Sequence, residues 1–304
     1  MNLATSPSPR PRHAPATTTD RAIRAAGTIT AAYLLLGLFP MTRWAIAHRE
    51  TAPPLLHLLA LAIALGTLAA GDRAPRVVRD WMPLALGPFL YIELRWLIEG
   101  MGRPHADAKV VGWEHAVFGG DPSSTLATRW TNGALSELLH LCYVSYYLLV
   151  LLPPLLLYLR ARREDFARTL LGLATVYAVC FTTYLVFPVD GPRFLLGPAA
   201  APAGPIRSFV LHLLAAGSSR GTAFPSSHVA AAVVASLAAL RSDRRVGIPV
   251  ALLTVGLAFG AVYGGFHYGV DALAGLVVGL LAWALAGLAW RRLSAPGVQS
   301  ATAA

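Results

Sequence analysis

Two short stretches hold most of the side chains able to do chemistry. One reads Arg220-Gly221-Thr222-Ala223-Phe224-Pro225-Ser226-Ser227-His228 and the other Tyr263-Gly264-Gly265-Phe266-His267-Tyr268-Gly269-Val270-Asp271. Their surroundings are apolar, and an ionisable group at membrane depth marks a functional site by default. His267 and Asp271 are four apart, so on a helix they share a face. The carboxylate then accepts the imidazole N–H, fixes the tautomer and stabilises the imidazolium, as in the orientation of a nucleophile or base in a triad. Pro225-Ser226-Ser227-His228 precedes the apolar run Val229 to Leu240, which makes Ser226 a candidate N-cap. Free backbone N–H groups at such a helix start form a phosphate site, to which Ser226 and Ser227 belong. His228 sits at its rim as a proton donor to a leaving oxygen. Arg220, and Arg193 in Asp190-Gly191-Pro192-Arg193-Phe194, are candidate cations for the remaining phosphate oxygens.

The elements that position these residues are apolar helices. Of 304 residues, 56% are hydrophobic and 13% charged, with a mean hydropathy of +0.56. Soluble domains average about 25% charged residues. The expectation is an all-α, polytopic membrane helix bundle. Eight stretches approach the ~20 apolar residues of a span: 28–47, 54–70, 81–98, 135–159, 169–187, 226–240, 246–264 and 268–290. The second and sixth are short, and the sixth starts polar because motif residues fill its first turn. Residues 1–27 and 293–304 read as disordered tails, 28–134 as N-terminal spans with an interfacial segment, and 135–292 as the catalytic core. Ala45-Ile46-Ala47 looks like a signal-peptide cleavage site, but Arg43 and Trp44 interrupt it and further spans follow.

With its third and first motifs, the chain resembles the type 2 phosphatidic acid phosphatase superfamily, which includes vanadium haloperoxidases. The resemblance rests on Pro225-Ser226-Ser227-His228, on His267-x-x-x-Asp271 and on the upstream Pro192-Arg193. It implies a six-helix-type phosphatase core, with His267 as phosphoryl-accepting nucleophile, Asp271 orienting it and His228 protonating the leaving group. The chain looks closer to the inositol phosphorylceramide synthase branch through Phe118-Gly119-Gly120-Asp121-Pro122, Tyr143-x-x-Tyr146-Tyr147 and Phe187-Pro188. Four positions depart from the phosphatase pattern. Val186 stands where a Lys is usual, Phe194 where a Pro follows the Arg, and Gly260-Ala261 where Ser-Arg precedes the last His. Two phosphate cations are therefore missing, which favours a phosphodiester donor over a phosphomonoester.

Charge placement sets the expected orientation. With the N-terminus inside, the inner segments hold sixteen of the 25 Lys and Arg, including Arg73, Arg76, Arg79, Arg160, Arg162 and Arg163. The positive-inside rule puts both termini in the cytoplasm and all three motifs at the non-cytoplasmic face of a cell membrane. The formal charge of +10 is a topological signal, and no patch suited to nucleic acid is evident. The expected partners are membrane lipids: a phospholipid donor and a lipid hydroxyl or water as acceptor. No cofactor or metal is expected. Cys142 and Cys180 lie in apolar runs and suggest neither disulfide nor zinc site.

Other readings stay open beside this one. A relative of the same fold can bind or move lipid without chemistry, and His228, His267 and Asp271 could ligate a metal, although the Ser-Ser-His helix start suits an anion. His267 with Asp271 could be a structural pair, and Arg220 a headgroup ligand or helix cap. Arg95 and Glu99, four apart, are expected to pair, whereas Glu93 sits deeper in its span. Tyr143, Tyr146 and Tyr147 read as packing, and Gly275 with Gly279 as a close helix contact. Val110, Trp113, Val117 and Phe118 follow helical spacing and suggest an interfacial helix, either lid or anchor. The remaining histidines show no constellation.

Overall fold

A computed structural model describes residues 16–197 and 199–295. Among these there is no β-strand, and the apolar stretches are helical. Helix α1 (Thr18–His48) begins earlier than expected from the tail-like composition. The reason is local: Thr17 accepts the Asp20 N–H at 3.1 Å, and the Asp20 carboxylate takes the Thr17 N–H at 3.3 Å, a capping box. The expected N-terminal tail thus gives way to helix from residue 18, while residues 1–15 and 296–304 lie outside the described residues. Helix α2 (Ala52–Ala70) exposes Leu55, Leu56, Leu58, Leu59 and Ile63, as a lipid-facing helix does.

The expected span 81–98 is two helices, α3 (Arg76–Ala85) and α4 (Gly87–Met101). They part at Leu86, just before Pro88, whose missing N–H suits a helix start. Two short helices follow, α5 (Asp107–Phe118) and α6 (Pro122–Arg129). The stretch 135–159 becomes α7 (Gly133–Val144) and α8 (Tyr146–Leu159), bent by 45° at Ser145. Then come α9 (Arg163–Val186), the single turn α10 (Pro192–Leu195), α11 (Pro205–Gly217), α12 (Ser227–Ser242), α13 (Arg244–Tyr263) and α14 (Gly269–Ser294). Five helices are long and apolar enough to cross a membrane, and a sixth if α7 and α8 make one span. The other two expected spans fall short because α3 and α4 are broken at a proline and α12 has 16 residues.

Helix α12 lies at the centre, packed on α8, α9, α13 and α14. Its alanines explain how so many neighbours fit, since Ala230, Ala231, Ala232, Ala235, Ala238 and Ala239 are all buried. Helix α14 lies on the α12 backbone at the two small residues singled out by their spacing. A Cβ on Gly275 would stand 2.5 Å from the Ser226 carbonyl oxygen, and one on Gly279 would stand 2.6 Å from that of Ala230. At the bundle end opposite the motif loops, Arg163 meets Asp80 at 2.7 Å and Arg241 meets Asp165 at 3.2 Å, joining α3, α9 and α12.

Candidate active site

Three loops meet at one end of α12. The first, leading into α10, holds Pro188 to Gly191. The second precedes α12, and the third joins α13 to α14. Val189 pairs with the second loop, its N–H on the Gly221 carbonyl at 3.3 Å and its carbonyl taking the Ala223 N–H at 2.8 Å. The Arg193 N–H binds the Gly265 carbonyl at 3.0 Å, tying first to third. The Ser226 N–H binds the Asp271 carbonyl at 3.0 Å, tying second to third.

His267 and Asp271 are close, but not on one helical face. His267 precedes Tyr268, the N-cap residue of α14, and Asp271 reaches back so that Oδ2 accepts the Tyr268 N–H at 2.8 Å. The same oxygen lies 3.4 Å from His267 Nδ1, and a nearer acceptor for that nitrogen is the Ala223 carbonyl at 3.0 Å. Nδ1 therefore carries the proton, donated to Ala223 with Asp271 behind it, and Nε2 keeps its lone pair. Nε2 faces the Ser226 hydroxyl at 3.3 Å. Burial, with the Arg193 charge adding to it, pushes the His267 pKa down to about 4 against the bond to Ala223. The ring is then neutral at ordinary pH, with Nε2 unprotonated.

Ser226 is the N-cap of α12, its Oγ accepting the Val229 N–H at 3.4 Å. The Ser227 N–H bonds the Tyr184 hydroxyl at 3.2 Å, and that hydroxyl donates to the Pro225 carbonyl at 2.8 Å. Two of the first three amides of α12 are thus engaged, so the anion cup is narrower than a bare helix start. His228 is half-buried, its ring 5.9 Å from that of His267 between centroids. Tyr143 stacks on it at 5.6 Å and 21°, and Tyr146 lies at 4.2 Å. Two members of the tyrosine stripe assigned to packing by spacing therefore set the orientation of His228.

The two arginines occupy different places. Arg193, whose pKa burial pulls down, bonds the Ser218 hydroxyl and lies 4.4 Å over the Phe194 ring. Arg220 lies over the same ring at 5.4 Å, but its Nε and Nη2 both reach Asp190 Oδ2, at 3.0 and 2.5 Å. Phe194, a departure from the family pattern, is the platform that holds both cations. Asp190 Oδ1 also takes the Gly221 N–H at 2.9 Å and meets His105 Nδ1 at 2.7 Å. His105, Asp107 and Asp190 bring ligand atoms within 4.8 Å of one another. Their oxygens already serve backbone amides and Arg220, which makes the group a hydrogen-bond hub.

The two missing cations have structural counterparts. Val186 is 55% exposed at the end of α9, and Ala261 is fully buried among Tyr143, Val210 and Phe266. Arg207 Nη2 is held by the Ala199 carbonyl at 2.9 Å. Arg95 lines a polar cavity of about 760 Å³ with His105, Asp107, Asp190, Ser218 and Arg220. It does not pair with Glu99, whose carboxylate goes to Trp44 Nε1 at 2.8 Å and to His48 at 3.2 Å. A second cavity of about 280 Å³ is apolar, lined by Tyr91, Tyr146, Tyr147, Tyr177, Ser227 and His228. Ser218 lines both. Glu93, buried on α4, pairs with His57 at 2.7 Å, a partner 36 residues away that spacing does not reveal.

The model of the PAP2 superfamily matches residues 108–285, from α5 through most of α14, and leaves α1 to α4 outside it. Comparisons with curated proteins and with solved structures give no match. The matched segment exceeds half of the chain and holds all three motif loops, and the chain belongs to the PAP2 superfamily, whose members are generally phosphatases and phosphotransferases.

Proposed function

We propose that the protein transfers a phosphoryl-linked group from a membrane phospholipid through a phospho-His267 intermediate. The observation that carries this reading is the His267 tautomer. Nδ1–H is committed to Ala223 with Asp271 behind it, and the bare Nε2 faces the start of α12. In the first step Nε2 attacks phosphorus and the P–O bond to the lipid alcohol breaks, its oxygen taking a proton from His228. Arg193 and the α12 start hold the phosphoryl oxygens, and Asp271 offsets the charge gained by the phosphorylated ring. In the second step an acceptor hydroxyl gives its proton to His228, attacks the phosphorus and frees Nε2.

The two cavities support a diester donor. His228 lines the apolar one, so the alcohols that leave and enter beside it are lipid alcohols. A polar headgroup remaining on phosphorus fits the larger cavity, whose Ser218 is bonded to Arg193. The buried Ala261 and outward Val186 leave the site poor in cations, which weakens a dianion more than a monoanion. The resemblance to inositol phosphorylceramide synthases points the same way. Hydrolysis is the second reading, favoured by the polar cavity, where the Arg220 side chain is 65% exposed and water has access. By the charge distribution, this end of the bundle faces away from the cytoplasm.

The test incubates purified protein with phosphatidate, isoprenyl diphosphate or phosphatidylinositol, with and without ceramide or diacylglycerol, and identifies the products. The expected product is the headgroup phosphate on the added alcohol. His267→Ala is expected to abolish turnover. A hundredfold preference in kcat/KM for phosphatidate, about 2.7 kcal/mol in the transition state, would return the protein to the plain phosphatases.

A further inference from the structure

Helix α5 turns a largely polar face to the protein. Its apolar Trp113, Val117 and Phe118 are 44%, 57% and 43% exposed, whereas Asp107, Val110 and Glu114 are buried. Each buried carboxylate holds two consecutive backbone amides of a motif loop. Asp107 accepts the N–H groups of Asp190 and Gly191, both at 3.0 Å. Glu114 accepts those of Gly269 and Val270, both at 2.8 Å. The two carboxylates are seven residues apart, two helical turns or about 10 Å along the axis. They therefore bridge the loop before Arg193 and the loop after His267. The Ala106 N–H adds a bond to the Pro188 carbonyl at 2.8 Å, and Trp113 stacks on Phe187 at 5.7 Å.

We propose that α5 is a brace for the reaction, in which Asp107 positions Arg193 and Glu114 positions the nucleophile His267. The inference rests on the roles given to those two residues above. Burying a carboxylate costs free energy unless it is hydrogen-bonded, and each of these is bonded to two amides. What a carboxylate adds is direction: two bonds from one planar group fix the orientation of a peptide pair. Gly191 is followed by Pro192 and Arg193, so Asp107 sets the exit of the chain into the phosphate cation. Gly269 is two residues from His267, so Glu114 sets the entry of α14 and the place of Nε2. The Tyr268 hydroxyl also donates to Asp107, at 3.4 Å, a longer contact than the amide bonds. Placement errors of about 1 Å at a reacting group cost on the order of a hundredfold in rate.

The two arms predict different kinetics. Glu114→Gln replaces one acceptor by a donor facing an N–H. It is expected to lower kcat at least tenfold and leave KM within threefold. Asp107→Asn, with the same phospholipid and detergent, is expected to raise KM and the Ki of inorganic phosphate at least tenfold and leave kcat within threefold. Asn132→Ala, which removes the cap from the Leu135 N–H at the start of α7, serves as control and changes neither. Should the amides collapse the fold, Glu114→Asp and Asp107→Glu keep the charge and are expected to split the same way with smaller amplitude. Activity surviving in His267→Ala overturns the nucleophile reading and the Glu114 arm with it. With His267→Ala inactive, equal effects of both carboxylate variants on kcat, or no effect from either pair, overturn the brace.

Discussion

Arg193→Gln removes the one cation that the geometry leaves beside the α12 start without a carboxylate partner among the described residues. Gln keeps part of the contact with Phe194 and can still bond Ser218, so the lost term is chiefly charge. A unit charge pair about 4 Å apart is worth about 4 kcal/mol at an effective dielectric near 20. Arg193 is half-buried, and solvent screening brings that to about 2 kcal/mol for a monoanionic diester. The expected loss in kcat/KM is about 30-fold, and for dianionic phosphatidate, with twice the charge product, closer to a thousandfold. The assay measures kcat/KM for both donors in one detergent, with wild type, Arg193→Gln and Arg220→Gln side by side. Arg220 is already neutralised by Asp190, so its variant is expected to lose less than tenfold on either donor. A loss below threefold for Arg193→Gln removes it from the phosphate site. Equal losses on the two donors refute the charge-product argument and the case for a diester with it.

Lowering the pH should spare the enzyme longer than an ordinary histidine nucleophile allows. In the proposed mechanism His267 attacks when neutral, and a pKa near 4 keeps it neutral well below the usual 6.5, while His228, the acid of the first step, gains its proton as the pH falls, so kcat/KM should not drop with decreasing pH until about 5. A fall centred near 6.5 would contradict this. Gly279→Val pushes a side chain into the Ala230 carbonyl and Val233, and is expected to cost about 3 kcal/mol and lower the thermal midpoint in detergent by about 6–12 °C. An unchanged midpoint would mean that α14 and α12 separate more easily than their packing implies. Finally, a cysteine placed at Arg163 should resist an impermeant reagent added to intact cells, and one at Arg220 should react; the reverse pattern moves the site to the cytoplasmic side.

Much of the site was legible because its groups sit in contiguous motifs whose spacing is set by one helix start each. Ser226 as a cap and the small-residue contact at Gly275 and Gly279 follow from local rules. What spacing could not show are partners distant in the chain. The Ala223 carbonyl outcompetes Asp271 for His267 Nδ1, which only the folded loops decide. His57 finds Glu93 across two helices, and Glu99 leaves Arg95 for Trp44 and His48. Periodicity marked the apolar stripe of α5 but could not show what its other face meets. Here loops with exposed amides draw two carboxylates inward. The span count suffered from proline: hydropathy runs smoothly through 81–98, but the backbone breaks before Pro88.

The length of α12 has a consequence for where the phosphorus must travel. Its 16 residues rise about 24 Å, against a hydrocarbon layer of about 30 Å. Arg241 and the Asp243 cap hold its far end among polar groups. With that far end at one headgroup plane and the axis along the bilayer normal, the opposite end, with Ser226 and His228, would stop roughly 6 Å short of the other plane. Under the proposed mechanism a phospholipid would then sink its phosphate by about that depth to reach His267, with its acyl chains in the leaflet beside the tyrosine-lined cleft. Membrane-dissolved alcohols would reach that depth directly, whereas water would come only through the cavity beside Arg220. Under the proposed mechanism, the shortness of one helix would by itself favour transfer over hydrolysis.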